Sequence, residues 1–177
     1  MNINQNMNPN AEAPVRAQLL QDLSSGKSRR EIAEANFLKG YNCAQSVVLA
    51  YADLVDLDEK TLSKLACSFG GGMGRLREVC GSVSGMFMIA GLLYGYDGPE
   101  TGTPKAEQYA RIQELAARFE ERNGSIVCRE LLGLSQKRDV PVPEARTDIY
   151  YKKRPCREII GGAAEILQYF LQENPLQ

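Results

Sequence analysis

Apolar residues recur every three or four positions along most of this chain, which is the spacing of a helix face buried against neighbours. In the clearest stretch, Thr103 to about Arg122, the apolar positions oppose a charged face; they are Ala106, Tyr109, Ile112, Leu115, Ala116 and Phe119. No segment alternates convincingly with the period of two that marks a strand. The pattern therefore predicts an all-α fold, a compact multi-helix bundle.

Capping residues and glycine or proline breaks set the predicted boundaries. Ser28 followed by Glu31 forms a capping box, and Asn42 and Asp58 are further N-cap residues. The predicted helices are Pro14 to Leu23, Ser28 to Gly40, Asn42 to Tyr51, Asp58 to Cys67, Cys80 to Tyr94, Thr103 to about Arg122, Ser125 to Leu132 or Leu134, and Pro155 to about Gln172. Residues 136–148 contain two prolines and are predicted to form a loop.

The segment from Cys80 to Tyr94 differs from the others because it is apolar and rich in glycine. Gly81, Gly85 and Gly91 remove side-chain bulk, so another backbone can approach closely. We therefore expect this segment to be the buried central helix of the bundle.

Length and charge narrow the class of protein. The chain of 177 residues suits a single domain, which we place at 13–177 behind a disordered, Asn-rich tail at 1–12. A net charge of −1 does not favour a nucleic-acid partner. The most apolar run, Val83 to Leu93, is shorter than the roughly 20 residues of a membrane span. Since no secretory signal is recognisable either, we expect a cytoplasmic protein.

The chain contains five cysteines and no histidine, so its candidate nucleophiles and metal ligands are mainly thiols. Four of them, Cys43, Cys80, Cys128 and Cys156, lie at predicted helix starts. The helix N-terminus favours the thiolate, which is the form that attacks disulfides and binds metals. Cys67 lies late in a helix, and we expect it in the core.

The spacing of the cysteines leaves more than one chemistry open. No Cys-x-x-Cys pair occurs, so the local signatures of zinc ribbons and ferredoxins are absent. Distant helix starts can still converge in space. If they do, Cys43, Cys80, Cys128 and Cys156 are candidate ligands of zinc, Cu(I) or an iron–sulfur cluster. Glu78 is a candidate proton acceptor for Cys80.

A glycine stretch, Phe69-Gly70-Gly71-Gly72-Met73-Gly74-Arg75, precedes the apolar helix. It lacks the Gly-Lys-Ser/Thr ending of a P-loop, and no predicted strand precedes it. Gly70, Gly71 and Gly72, together with Gly81, are candidates for close backbone approach to a cysteine site or its cofactor. A flexible connector into the apolar helix is the equally weighted alternative.

These residues together resemble the redox-active protein family named for its cysteine pattern, C_GCAxxG_C_C. The stretches that carry the resemblance lie between about Ile32 and Leu171; they are Gly40-Tyr41-Asn42-Cys43-Ala44-Gln45, Phe69 to Arg75, Val79-Cys80-Gly81-Ser82-Val83-Ser84-Gly85, Cys128-Arg129-Glu130-Leu131 and the helix from Pro155-Cys156. The resemblance implies that Cys43, Cys80, Cys128 and Cys156 are the characteristic cysteines of a bacterial or archaeal redox protein. Ser82 stands where the family usually has alanine, and Cys67 has no counterpart.

Three functions remain open at this point. The first is a thiol-dependent oxidoreductase that exchanges disulfides, pairing Cys43 with Cys80 or Cys128 with Cys156. The second is a metal or iron–sulfur protein, and the third is a helical interaction module with structural cysteines. The expected partners are a redox partner protein or a small-molecule thiol or disulfide, with a homodimer as a further assembly.

Overall fold

The computed structural model of the protein describes residues 28–99 and 102–176, and within these ranges the fold is all-α, as predicted. The only β-type pairing there is an isolated antiparallel bridge between Val79 and Val127. The helices are α1 Arg29–Leu38, α2 Cys43–Leu49, α3 Glu59–Ala66, α4 Gly70–Met73, α5 Gly81–Tyr94, α6 Thr103–Asn123, α7 Cys128–Leu131, α8 Asp148–Lys153 and α9 Cys156–Glu173, with 3-10 turns at Ala52–Leu54 and Cys67–Phe69. The predicted tail at 1–12 and the helix from Pro14 to Leu23 lie outside the described residues.

The capping predictions for the first helices are confirmed. The Ser28 hydroxyl accepts from the backbone N–H of Glu31, whose side chain returns to the backbone of Ser28. Asn42 and Gln45 form the same reciprocal box at the start of α2, and Asp58 caps α3. These caps satisfy N–H groups that have no partner inside the helix, so they fix where α2 begins. Cys43 is the first residue after the cap.

Two predictions about local structure were wrong. Ser125 was predicted to cap the short helix, but this helix begins at Cys128 with Val127 at its N-cap position. The Ser125 hydroxyl accepts instead from the backbone N–H of Val127, before the helix starts. Residues 148–153, where no helix was predicted, form helix α8, capped by the Thr147 hydroxyl. Both elements are only one to two turns long, and so short a helix carries little periodic signal.

The core lies where α2, α5 and α9 pack together, and α1 and α6 add buried side chains to it, with α1 packing extensively on α9. Helix α5 approaches α2 through small residues: a Cβ on Gly85 would lie 2.8 Å from the carbonyl oxygen of Ala44. The prediction of a buried glycine-rich helix is thus confirmed for its first half. Gly91 has open space around it, so the second half of α5 needs no glycine for packing. No helix among the described residues is both long and apolar enough to cross a membrane.

Candidate thiol site

Four helix starts converge on one cavity of about 450 Å³, and each brings a cysteine to its lining. Cys43, Cys128 and Cys156 are the first residues of α2, α7 and α9, and Cys80 is the N-cap residue of α5. The predicted positions at helix starts are therefore confirmed. The helices come from distant parts of the chain, and their packing places the four thiols around a shared space.

Cys43 lies against the backbones of Gly71 and Gly81. Its Sγ accepts from the backbone N–H of Gly71, at an N···S distance of 3.4 Å. The same sulfur occupies the space beside the backbone of Gly81, where a Cβ would lie only 2.5 Å away. Gly71 and Gly81 were both predicted to allow close backbone approach, and the structure shows that they do so at this thiol. Gly81 directly follows Cys80, so Cys43 and Cys80 lie near each other.

Cys80 and Cys128 are both buried, on either side of the bridge between Val79 and Val127. The Cys80 thiol lies 3.6 Å from the Ser82 hydroxyl, to which it donates. Cys128 lies against Gly72, where a Cβ would come within 2.6 Å of the Cys128 Cβ. Its backbone N–H donates to the carbonyl of Glu78. Backbone bonds on both sides thus hold these two cysteines against the glycine stretch.

The glycine turn, residues 70–77, includes the short element α4, whose backbone departs from a regular α-helix at Gly71 and Gly72. Gly71, Gly72 and Gly74 have positive φ, and so do Met73, Arg75 and Arg77. Left-handed backbone is easy for glycine and strained for residues that carry a Cβ. Hydrogen bonds and packing hold the turn in this shape, so the structure favours close approach to the thiols over a flexible connector. A role of Gly70, Gly71, Gly72 and Gly81 in holding a cofactor stays a prediction.

The expected lowering of the thiol pKa values is wrong for three of the cysteines. Burial raises the pKa of Cys43, of Cys80 and of Cys156, in the last case to about 12. A helix terminus contributes about 0.3–1 kcal/mol, less than one pKa unit, whereas desolvation shifts a buried group by up to several units. Burial therefore outweighs the helix starts, and these three thiols are protonated at neutral pH.

The pKa values also show which thiols affect one another. Negative charge on Cys43 raises the pKa of both Cys80 and Cys156, and in each case it is the largest charge effect that acts on that thiol. Charge on Cys128 raises the pKa of Cys43 in turn. Charge on Cys128 also raises the pKa of Cys80 and Cys156, but in each case its effect is smaller than that of Cys43.

Two residues that the sequence singled out have different positions from those expected. Cys67 is exposed at the rim of the cavity, because the buried face of α3 passes through Leu62 and Ala66 and leaves the next residue outside. The prediction of a core position was wrong. The Glu78 carboxylate accepts from Arg129 at 3.1 Å and is half exposed, so an ion pair occupies the group considered as a proton acceptor for Cys80.

A metal ion finds no ready ligand set in this arrangement. No three Cys, Asp or Glu side chains in residues 28–99 and 102–176 lie close enough together to share an ion. The cysteines share a cavity without gathering around one point. Zinc and iron–sulfur clusters need three or four ligands at bonding distance, and the described cysteines do not meet this requirement.

The cavity lining also carries a set of positive charges that sequence reasoning missed. Four guanidinium groups line it, and we call them the arginine wall: Arg75, Arg77, Arg146 and Arg154. Arg77 is buried, donates to Asp139 at 2.9 and 2.5 Å, and lies 3.7 Å from the Cys128 sulfur. Arg154 ends the short basic run Tyr151-Lys152-Lys153-Arg154, whose position in the chain gave no sign of the cavity.

The fold and site thus define an all-α protein that contains no histidine and carries four thiols around one cavity. A family model described as "Putative redox-active protein (C_GCAxxG_C_C)" matches residues 41–170. The chain belongs to this family, and the membership supports a redox role in general. Comparisons with curated proteins and with solved structures found no match.

Proposed function

We propose that the protein is a thiol-dependent oxidoreductase in which Cys43 attacks a disulfide substrate and Cys80 resolves the mixed disulfide. The observation that carries this proposal is the contact between the Cys43 sulfur and the backbone of Gly81, the residue next to Cys80. Thiol–disulfide exchange needs a second thiol within reach of the first. The five described cysteines are all free, which suits a reducing compartment such as the cytoplasm.

Access and coupling favour Cys43 as the attacking thiol. It is half-buried on the cavity surface, whereas Cys80 and Cys128 are buried. The N–H of Gly71 already points at its sulfur, and this hydrogen bond lowers the Cys43 pKa against the larger effect of burial. Cys156 is also half-buried and coupled to Cys43. The geometry at Gly81 nevertheless favours Cys80 as the partner that closes the disulfide.

The reaction balances over two exchanges. The Cys43 thiolate attacks one sulfur of the substrate disulfide, forms a mixed disulfide and releases the other half of the substrate as a thiolate. Cys80 then loses its proton and attacks the Cys43 sulfur. This step forms the Cys43–Cys80 disulfide and releases the second half of the substrate. Two electrons pass from the two protein thiols to the substrate, and the two thiol protons end on the two product thiols.

Burial also sets the direction of electron flow that we propose. Dithiol proteins are strong oxidants when a low thiol pKa stabilises their reduced form. Burial has the opposite effect on Cys43, Cys80 and Cys156 because it raises their pKa values. High-pKa thiols are also poor leaving groups, so the protein disulfide resists reduction once formed. The protein therefore serves as the reductant of its substrate.

The test uses the reduced protein and 2-hydroxyethyl disulfide, with the release of mercaptoethanol followed over time. The wild-type protein should release two mercaptoethanol molecules for each fast-reacting Cys43. Cys43→Ser should abolish the fast phase. Cys80→Ser should release one molecule and stop at the mixed disulfide, which intact mass spectrometry detects.

Cys67→Ser is the matched control, because Cys67 is an exposed thiol at the rim of the same cavity. It should leave the fast phase unchanged. Oxidation of Cys43→Ser at the wild-type rate would refute the assignment of the attacking thiol. Complete oxidation of Cys80→Ser, with two molecules released, would refute the resolving role.

A further inference from the structure

The charge of the cavity differs from that of the whole chain. The net charge of the protein is −1, whereas the charged residues that line the cavity are the four members of the arginine wall and one carboxylate, Glu144. A cavity with this excess of positive charge attracts negatively charged ligands. Planar guanidinium groups also bind carboxylates through two parallel hydrogen bonds.

The arginines differ in how far their charge is already neutralised. Arg75 and Arg77 both form ion pairs with Asp139. Arg146 donates to the backbone carbonyls of Phe37 and Tyr41 at 2.8 and 2.9 Å, and it forms no ion pair with any described carboxylate. These carbonyls orient the guanidinium without cancelling its charge, so Arg146 brings a net positive charge to the cavity.

The carboxylate of Glu144 lies beside the arginines to which a carboxylate of a ligand would bind. Glu144 pairs with Arg154 and lies 4.0 Å from Arg75, and its side chain is half exposed. It belongs to the strap, residues 136–147, an irregular segment along one side of the cavity. An exposed ion pair contributes little to stability, so a carboxylate from a ligand can take the place of Glu144 at small cost.

Building on the proposed oxidoreductase function, we infer that the substrate is a low-molecular-weight disulfide that carries carboxylate groups. Arg146 and Arg154 bind these carboxylates, one of which displaces Glu144, and the sulfur–sulfur bond is thereby directed towards Cys43. The cavity volume of about 450 Å³ lies within the range of small-molecule sites. The exchange reaction is the one balanced above, and its products are two carboxylate-bearing thiols.

Three small disulfides of different charge provide the test: dithiodiglycolate with two carboxylates, neutral 2-hydroxyethyl disulfide, and cystamine with two ammonium groups. The second-order rate of oxidation of the reduced protein is measured with each, and divided by the rate at which dithiothreitol reduces the same compound. This ratio removes the intrinsic reactivity of each disulfide. We expect the ratio for dithiodiglycolate to exceed that for 2-hydroxyethyl disulfide by about tenfold at low salt, with cystamine lowest, and the preference to shrink as salt is added.

Variants locate the preference in the cavity. Arg146→Gln and Arg154→Gln should each lower the dithiodiglycolate ratio about threefold to tenfold, whereas Arg154→Lys, which keeps the charge, should retain most of it. Glu144→Gln should raise the ratio about threefold, because the competing carboxylate is gone. Lys60→Gln makes the same change of net charge as the arginine variants on the exposed side of α3 and should have no effect.

The outcomes separate the two proposals. Equal ratios for the three disulfides, or the highest ratio for cystamine, would overturn the acidic substrate while leaving the oxidoreductase intact. If none of the three oxidises Cys43, the proposed function itself fails. Should a glutamine variant not fold, the order of the three ratios and their salt dependence in the wild-type protein still decide the inference.

Discussion

The two sides of the cavity are built in different ways. On the thiol side, Cys43, Cys80 and Cys156 begin or cap helices whose bodies form the hydrophobic core. On the arginine side, the glycine turn and the strap have irregular backbone, and side-chain hydrogen bonds hold them together. Asp139 joins the two segments, because it accepts from both Arg75 and Arg77.

The difference assigns a separate task to each side. Close packing holds the sulfur atoms of Cys43 and Cys80 at fixed positions, which suits bond exchange between them. The arginine side depends on polar contacts that water and salt weaken, and this suits a surface that takes up and releases a ligand. The same packing that positions the thiols also buries them. Burial raises their pKa values, so only a small fraction of Cys43, Cys80 and Cys156 is thiolate at neutral pH.

The largest predicted effect concerns the protonation of Cys156. Its pKa of about 12 in the folded protein lies roughly three units above that of an unperturbed thiol. At pH 8, iodoacetamide should therefore label native Cys156 about a thousandfold more slowly than in the urea-unfolded protein. The native rate should rise about tenfold per pH unit beyond pH 9, where the unfolded rate levels off. A native rate that also levels off near pH 9 would show that burial does not control this thiol.

On the thiol side, one methyl group added at Gly81 should lower the stability of the protein. In Gly81→Ala the new Cβ would lie 2.5 Å from the Cys43 sulfur and 2.7 Å from the Phe69 carbonyl oxygen. We expect a loss of about 2 kcal/mol in the free energy of unfolding and a changed reactivity of Cys43. Gly91→Ala in the same helix is the control: nothing lies within 4 Å of the added atom, so we expect a gain of about 0.5–1 kcal/mol. Urea unfolding measures both, and equal effects would contradict the packing account.

The ion pairs of the arginine side should make the stability of the protein depend on pH in the acid range. Hydrogen bonds from Arg77, and then from Gln136, lower the pKa of Asp139. A carboxyl group whose pKa is lowered on folding adds stability above its unfolded pKa of about 3.9, and this stability is lost as the pH falls through the lower folded pKa. Asp139→Asn should therefore be less stable than wild type at pH 7, and the difference should vanish in strong acid. Parallel urea midpoints at all pH values would contradict the pairing.

The smallest predicted effect tests backbone strain in the glycine turn. Met73 has a φ of 60°, a conformation that costs a residue with a Cβ about 1 kcal/mol. Met73→Gly should therefore lower stability by little, or raise it by up to about 1 kcal/mol, although the side chain is lost. Gln113→Gly, at an exposed position in the middle of α6, should cost about 1 kcal/mol. A larger loss at Met73 than at Gln113 would show that the methionine side chain, and not the backbone, holds the turn.

The sequence predicted the thiol side well because its signals are local. The capping pair Asn42 and Gln45 predicts the start of α2, and the small residues of α5 predict a close contact with another helix. It predicted the arginine side poorly because nothing local marks it. Arg146 reaches the carbonyls of Phe37 and Tyr41 more than 100 residues earlier in the chain. The wrong expectation for the thiol pKa values has a related cause, since burial depends on the whole fold whereas a helix start is visible in a few residues.

The most direct test of the central claim is the identity of the first disulfide that forms. Trypsin places each of the five cysteines on its own peptide; the peptides with Cys43 and Cys80 are residues 40–60 and 78–105. Reduced protein is oxidised with a limiting amount of 2-hydroxyethyl disulfide, the remaining thiols are alkylated, and the linked peptides are identified by mass spectrometry. We predict that the Cys43–Cys80 pair dominates. A dominant Cys128–Cys156 pair, or disulfides only between molecules, would contradict the account.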